Sequence, residues 1–92
     1  MNLYLFRWNE KLPKAKSPLE STWLHHEIGR CHLELGNFSK ALSFGEESLE
    51  AAHRADDDVW VLNATVLVAQ AEGMFTSFYF SGKHMYKHVF VY

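Results

Sequence analysis

Six histidines, a single cysteine and a run of three aspartates are the residues of this 92-residue chain with the most chemical potential. Their spacing decides how much of it can be used. His25 and His26 are adjacent, so on a helix they face different sides. His84 and His88 have the i, i+4 spacing that could chelate a metal from one helical face. No carboxylate or thiol lies nearby to complete such a site, and the aromatic, β-branched residues around them disfavour a helix. Cys31 falls on an apolar stripe with no base arranged beside it, which reads as core packing rather than a nucleophile. No nucleophile elbow, glycine-rich phosphate loop or pair of catalytic carboxylates is present. The sequence therefore predicts no catalytic residue, no metal, no cofactor and no small-molecule substrate. It reads as a binding protein, not an enzyme.

The totals narrow the partners. A formal charge of -2 gives no electrostatic case for nucleic acid, which calls for a basic patch. Lys11, Lys14 and Lys16 form the only basic cluster and read as a solvated linker. One cysteine permits no internal disulfide and fits a reducing, cytoplasmic setting. The apolar run Met1–Phe6 is too short for the core of a signal peptide. Val59–Val68, the richest apolar window, is broken by Asn63 and Thr65, so no membrane span is expected. With 48% hydrophobic residues, a folded chain is expected.

The elements that position these residues are helical. In residues 1–16, Leu5, Phe6 and Trp8 read as the last turns of a helix that Pro13 closes. Ser17-Pro18-Leu19-Glu20 is a helix start: Ser17 can cap, Pro18 suits the first helical position and Glu20 completes a capping box. The first main helix is predicted from about Pro18 to Leu35, with Leu24, Ile28, Cys31 and Leu35 as its apolar stripe. Gly36 supplies a stop and Asn37 a cap for the next helix. That helix is predicted from Phe38 to about Ala55. Its inner face is Phe38, Ala41, Leu42, Gly45, Leu49 and Ala52, with Glu46, Glu47, Glu50 and Arg54 outside. Gly29 and Ala41 are small enough for the two backbones to approach closely, and the short turn makes the helices antiparallel. Asp56-Asp57-Asp58 reads as a solvated turn whose carboxylates favour the start of a third helix. That helix is expected from about Val59 to Glu72, with Trp60 in the core.

After Glu72 the pattern changes. Met74–Phe80 and His84–Tyr92 are aromatic and β-branched runs separated by Ser81-Gly82, which locally favours a hairpin or no fixed structure. The abrupt change suggests a splice boundary. Three regions follow: a remnant helix and linker over 1–16, a helical region over 17–72 and a divergent tail over 73–92.

The helix–turn–helix grammar of Ile28-Gly29 through Gly36-Asn37-Phe38 to Ala41 resembles the tetratricopeptide repeat (TPR) family. Ile28-Gly29 match the family's Leu-Gly pair, Gly36-Asn37-Phe38 its turn and Ala41 its small contact residue. His25, His32, Gly45 and His53 depart from the usual Trp, Tyr, Phe and Pro. His32, replacing a packing aromatic, is expected to be a part-buried helix contact. A second repeat could start 35 or 40 residues after the first, and 40 leaves room for the acidic turn. The expected fold is thus all-α: a TPR-like antiparallel helical hairpin plus a third helix, about one and a half repeats, with an irregular aromatic-rich tail. Since about three repeats are needed for stability, the chain alone is expected to be molten, oligomeric or prone to aggregate.

A narrower likeness covers about residues 8–72. The segments Trp8–Leu24, Glu27–Cys31, Leu62–Ala64 and Val66–Ala71 are similar to TPR scaffolds that dock outer dynein arms in motile cilia. The resemblance implies a segment or alternative form of a larger scaffold. It further implies docking-complex or axonemal proteins as partners and a cytoskeletal location in the ciliary axoneme. It also places a candidate protein-binding groove on the first helix of each repeat, away from its partner helix. Here that face holds Trp23, His26, Arg30, Leu33 and Glu34, joined by Asn63, Val66 and Gln70 from the third helix. Arg30, Asn63 and Gln70 could hold a peptide backbone or a carboxylate. The plainer alternatives are a solvated face, a face packed on another repeat, or a truncated form with no specific partner. Trp23 stands open between binding anchor and core.

Overall fold

In the computed structural model, residues 3–80 are described, with side chains from Leu5 to Gly73. The described chain is all-α: α1 (Leu3–Lys11), a 3-10 turn (Leu12–Lys14), α2 (Pro18–Glu34), α3 (Phe38–Arg54) and α4 (Asp58–Phe80). α2 and α3 form the expected antiparallel hairpin. α4 packs on the other flank of α3, and α1 lies against α2.

Local chemistry explains the boundaries. Pro13 sits in the 3-10 turn that ends the first helical stretch. The Ser17 hydroxyl accepts the Glu20 N–H at 3.1 Å, an N-cap that satisfies one otherwise orphaned donor. Pro18 follows in the first turn, where its missing N–H costs nothing. α2 ends in a Schellman turn. The Asn37 N–H reaches the His32 carbonyl at 2.8 Å and the Gly36 N–H the Leu33 carbonyl at 3.1 Å. Gly36 has φ +81°, a conformation in which a Cβ is strained. The Asn37 side chain makes no cap hydrogen bond to α3, contrary to expectation. Its amide is turned to the Nδ1 of His32 at 3.3 Å, so a partner on the preceding helix has won over the cap.

α3 ends in the same geometry. The Asp57 N–H bonds the Ala52 carbonyl at 3.2 Å and the Asp56 N–H the His53 carbonyl at 3.1 Å. Asp56 takes the left-handed position at φ 54°. Asp57 then caps α4, its Oδ1 accepting the Trp60 N–H at 3.1 Å. The acidic run is therefore a stop and a start, beyond its favourable charge at the helix dipole. The N-caps Ser17 and Asp57 stand 40 residues apart, the longer of the two spacings the sequence allowed.

The core is Leu24 and Ile28 of α2, Ala41, Ala51 and Ala52 of α3, and Ala64, Leu67 and Ala71 of α4. Leu35 leaves the expected stripe: the helix ends at Glu34, and Leu35 is 52% exposed in the turn. Leu67 is the pin between the three helices. A Cβ on Gly29 would stand 2.9 Å from Leu67 Cδ2 and 3.3 Å from Phe44 Cβ. A Cβ on Gly45 would stand 3.1 Å from Val68 Cγ2 and 3.5 Å from Leu67 Cγ. The small residues thus admit a third helix as well as closing the hairpin. Of the expected inner face, α3 buries Ala41, Gly45 and Ala52 and leaves Phe38, Leu42 and Leu49 half-buried; it buries Ser48 and Ala51 as well because it is flanked on two sides. The Ser48 hydroxyl donates to the Thr22 carbonyl at 2.8 Å, a fully buried tie from α3 to α2.

α4 continues through Gly73 to Phe80, where the sequence predicted a break after Glu72. Once nucleated, a helix gains one hydrogen bond per residue added, which offsets Gly73's penalty of about 1 kcal/mol and the β preference of Phe and Tyr. The hairpin or irregular tail expected after Gly73 is therefore replaced by helix as far as Phe80. Its remainder, with His84 and His88, lies outside the described residues. No described helix is long and apolar enough to cross a membrane.

Candidate protein-binding face

α2 and α4 both lean on α3, which brings part of the predicted groove together. His26 of α2 meets Trp60 of α4 edge to face, with ring centroids 5.2 Å apart at 77°. Trp60 is half-buried at this seam rather than in the core, a correction to the sequence reading. Its position is set by the Asp57 cap, which starts α4 so that Trp60 and Asn63, three residues apart, share one side. The i, i+3 relation of Trp60 to the predicted groove residue Asn63 was the available signal.

His26 Nδ1 is sealed from solvent and has no hydrogen-bond partner among the described residues. The Glu27 carboxylate is 3.7 Å away, an ion-pair distance rather than a hydrogen bond. Burial pushes the His26 pKa below its ordinary value. Glu27 opposes that shift, Arg30 adds to it and the Asn63 backbone opposes it. Burial thus favours the neutral ring, which packs between α2 and α4.

The remaining predicted groove residues differ in setting. Arg30 and Glu34 are exposed and form an i, i+4 pair at 3.4 Å, weak at this exposure. Leu33 and Asn63 are half-buried, and Gln70 is exposed. Val66 is 47% exposed, at the lip of this face. Trp23 packs edge-on against Trp8 of α1, with centroids 5.2 Å apart at 86°. Lys11 Nζ lies over the Trp8 ring at 5.5 Å, within cation–π range. Trp23 thus clamps α1 to α2 and is half-buried.

The other candidate chemical groups are structural. His32 is buried and stacks on Phe44 at 5.5 Å and 15°. Burial, aided by Lys40, lowers its pKa. His25 packs on the same Phe44 at 5.9 Å, its Nδ1 donating to the Ser21 carbonyl at 2.8 Å. Sequence reading missed this His25–Phe44–His32 stack because Phe44 fell outside the predicted stripe of α3. Cys31 is buried, and burial, followed by Glu34 and Glu27, raises its pKa, so it stays a thiol. Among the described residues no three His, Cys, Asp or Glu side chains converge.

The chain has clear relatives. The chain is 57% identical over 65 residues to the outer dynein arm-docking complex subunit 4 of Xenopus laevis, a match covering 71% of the chain and 12% of the relative. The protein of that name from Bos taurus matches at 57% over 65 residues, 71% of the chain and 10% of the relative. The Homo sapiens protein matches at 55% over the same length, 71% of the chain and 10% of the relative. The chain thus spans about a tenth of the length of the curated relatives it matches. No family model matches the sequence. No solved structure matches it either.

Proposed function

We propose that this chain is a protein-interaction scaffold segment that acts in docking outer dynein arms in motile cilia. The observation that carries this reading is the 57% identity to relatives named as docking-complex subunits. The partners would be docking-complex or axonemal proteins, and the location the ciliary axoneme. TPR-like helical stacking supplies the mechanism: shape and apolar complementarity, with no bond made or broken. The interacting unit is the helical region 17–72. Its contact face is Trp23, His26, Arg30, Leu33 and Glu34 of α2 with Asn63, Val66 and Gln70 of α4. Arg30 and the two amides would hold a partner's carboxylates and backbone, while the His26–Trp60 seam fixes the spacing between the two rows.

The test is a pull-down from ciliated-cell extract with the full chain, beside an Arg30→Glu, Gln70→Lys double variant. Recovery of docking-complex or axonemal proteins by the native chain, lost in the variant, is expected. A second reading, a truncated form with no specific partner, is favoured by the exposed apolar stripe of α4. Recovery of heat-shock proteins alone, equally by both chains, would establish that reading and sink the first.

A further inference from the structure

α4 carries apolar residues on two opposite sides. Ala64, Leu67 and Ala71 are buried against the core. Val59 and Leu62, 67% and 63% exposed, and Val66 stand on the far side. Ala69, half-buried, continues the same line. The spacing 59–62–66–69 runs 3, 4, 3, the alternation of a heptad seam. A helix that is apolar on both sides needs a cover on each, and the described residues leave this side open. From Val59 through Ala71 there is no charged side chain. Two copies of the face can therefore approach without burying a charge.

We infer that this face pairs with its own counterpart in a second copy of the chain, α4 against α4, parallel and in register. The pattern selects a copy and an orientation. β-Branched Val59 and Val66 alternate with Leu62 and Ala69, which suits a parallel two-stranded seam with each residue opposite itself. The flanking positions then match Asp58 with Asn63 and Thr65 with Gln70, polar pairs without like charge. The antiparallel alternative would set Asp58 of each copy beside Glu72 of the other, a repulsive pairing at both ends. The contact is small. Val59–Ala71 spans about 20 Å of a helix about 10 Å wide, so each copy covers on the order of 200 Å². That is about a quarter of what each partner covers in a standard interface, so the dimer is weak and forms only at high chain concentration. Val66 also forms the lip of the proposed partner face, and Asn63 and Gln70 of that face flank the seam, so the surface goes beyond that reading and shares these three residues with it.

Sedimentation equilibrium of the full chain from about 1 to 500 μM tests this. A monomer–dimer equilibrium is expected, weakened about tenfold or more in Val66→Lys and in Leu62→Lys, with circular dichroism unchanged since both positions are exposed. Leu62→Cys under mild oxidation should give a 62–62 disulfide dimer; the native chain should not, its Cys31 being buried. A chain that stays monomeric across the range overturns the inference. So does association that survives both lysine variants, which would assign it to another surface. A dimer lost in the lysine variants but refusing the 62–62 crosslink overturns the parallel register.

Discussion

The two helix junctions of this molecule have the same backbone and opposite chemistry. At the α2–α3 turn, Gly36 takes the left-handed position at φ +81°; at the α3–α4 turn, Asp56 takes it at φ 54°. Both close with the same pair of Schellman hydrogen bonds. The seams behind them differ as well. α2 meets α3 through polar and ring contacts, with Ser48 bonded to Thr22 and Phe44 between His25 and His32. α3 meets α4 through small and aliphatic residues, with Gly45 facing Leu67 and Val68. One geometry can thus be reached by a residue that adopts it freely or by one that is held in it.

The largest break in this comparison comes where both seams meet. Gly29→Leu would drive a side chain into Leu67 and Phe44 together, 2.9 and 3.3 Å from the first added carbon. Overpacking in cores costs roughly 1–3 kcal/mol and sometimes more; two crowded neighbours put this at the upper end. The expected outcome is loss of the helical circular dichroism signal and of a cooperative melt. Unchanged helicity and melting would mean that the three helices do not cross at Gly29.

That residue also marks how much was legible in the sequence. The α2–α3 hairpin could be read almost entirely, because its roles demand particular residue types: Ser-Pro to start, Gly to turn, Gly and Ala to approach. The α3–α4 junction was placed at the acidic turn, but its left-handed Asp56 and the Asp57 cap were not legible, because aspartate in the left-handed position looks like any solvated acidic run. The end of α4 was missed for a different reason. Local preference at Gly73–Phe80 opposes helix, and only propagation from a helix already formed overrides it. The face at His26, Arg30, Asn63 and Gln70 was named residue by residue. The partner that sets its geometry, Trp60, was misread as core, because an aromatic between two helices has the same sequence signature as one beneath them.

A smaller effect isolates the polar seam. Ser48→Ala removes the buried hydroxyl from the Thr22 carbonyl, which keeps its own helical bond. A net loss of about 1 kcal/mol is expected by denaturant titration. A loss above about 3 kcal/mol would show that the seam depends on this one bond, and no loss that the ring stack alone holds it.

The histidines separate the seams by pH. His26 and His32 both have pKa values lowered by burial. The unfolded chain therefore binds more protons than the folded one below the ordinary histidine value of about 6.5. Stability from this source is complete above that pH and is lost progressively as pH falls toward the folded values. His32→Phe should flatten that slope while keeping the stack on Phe44; His26→Phe should flatten it through the α2–α4 contact. Chemical denaturation at pH 7.5 and 5.5 reads both. Equal stability at the two pH values in the native chain would remove the burial argument for both rings.

The smallest effect tests the shared backbone directly. At Asp56 the left-handed conformation strains a Cβ, whereas glycine adopts it without strain. Asp56→Gly should therefore stabilise the chain by a few tenths of a kcal/mol. The gain is reduced because glycine also frees the unfolded chain. Gly36→Ala, the mirror change at the other turn, should destabilise by about 1 kcal/mol, since it introduces the strain and leaves the hydrogen bonds unchanged. Asp57 is left in place, so the α4 cap to Trp60 is intact in both variants and any change belongs to the turn. Opposite signs at the two positions would establish that the junctions are one geometry solved twice. If Asp56→Gly is destabilising, the Asp56 carboxylate contributes at the start of α4 more than its backbone costs, and the acidic turn is chosen for charge rather than tolerated for shape.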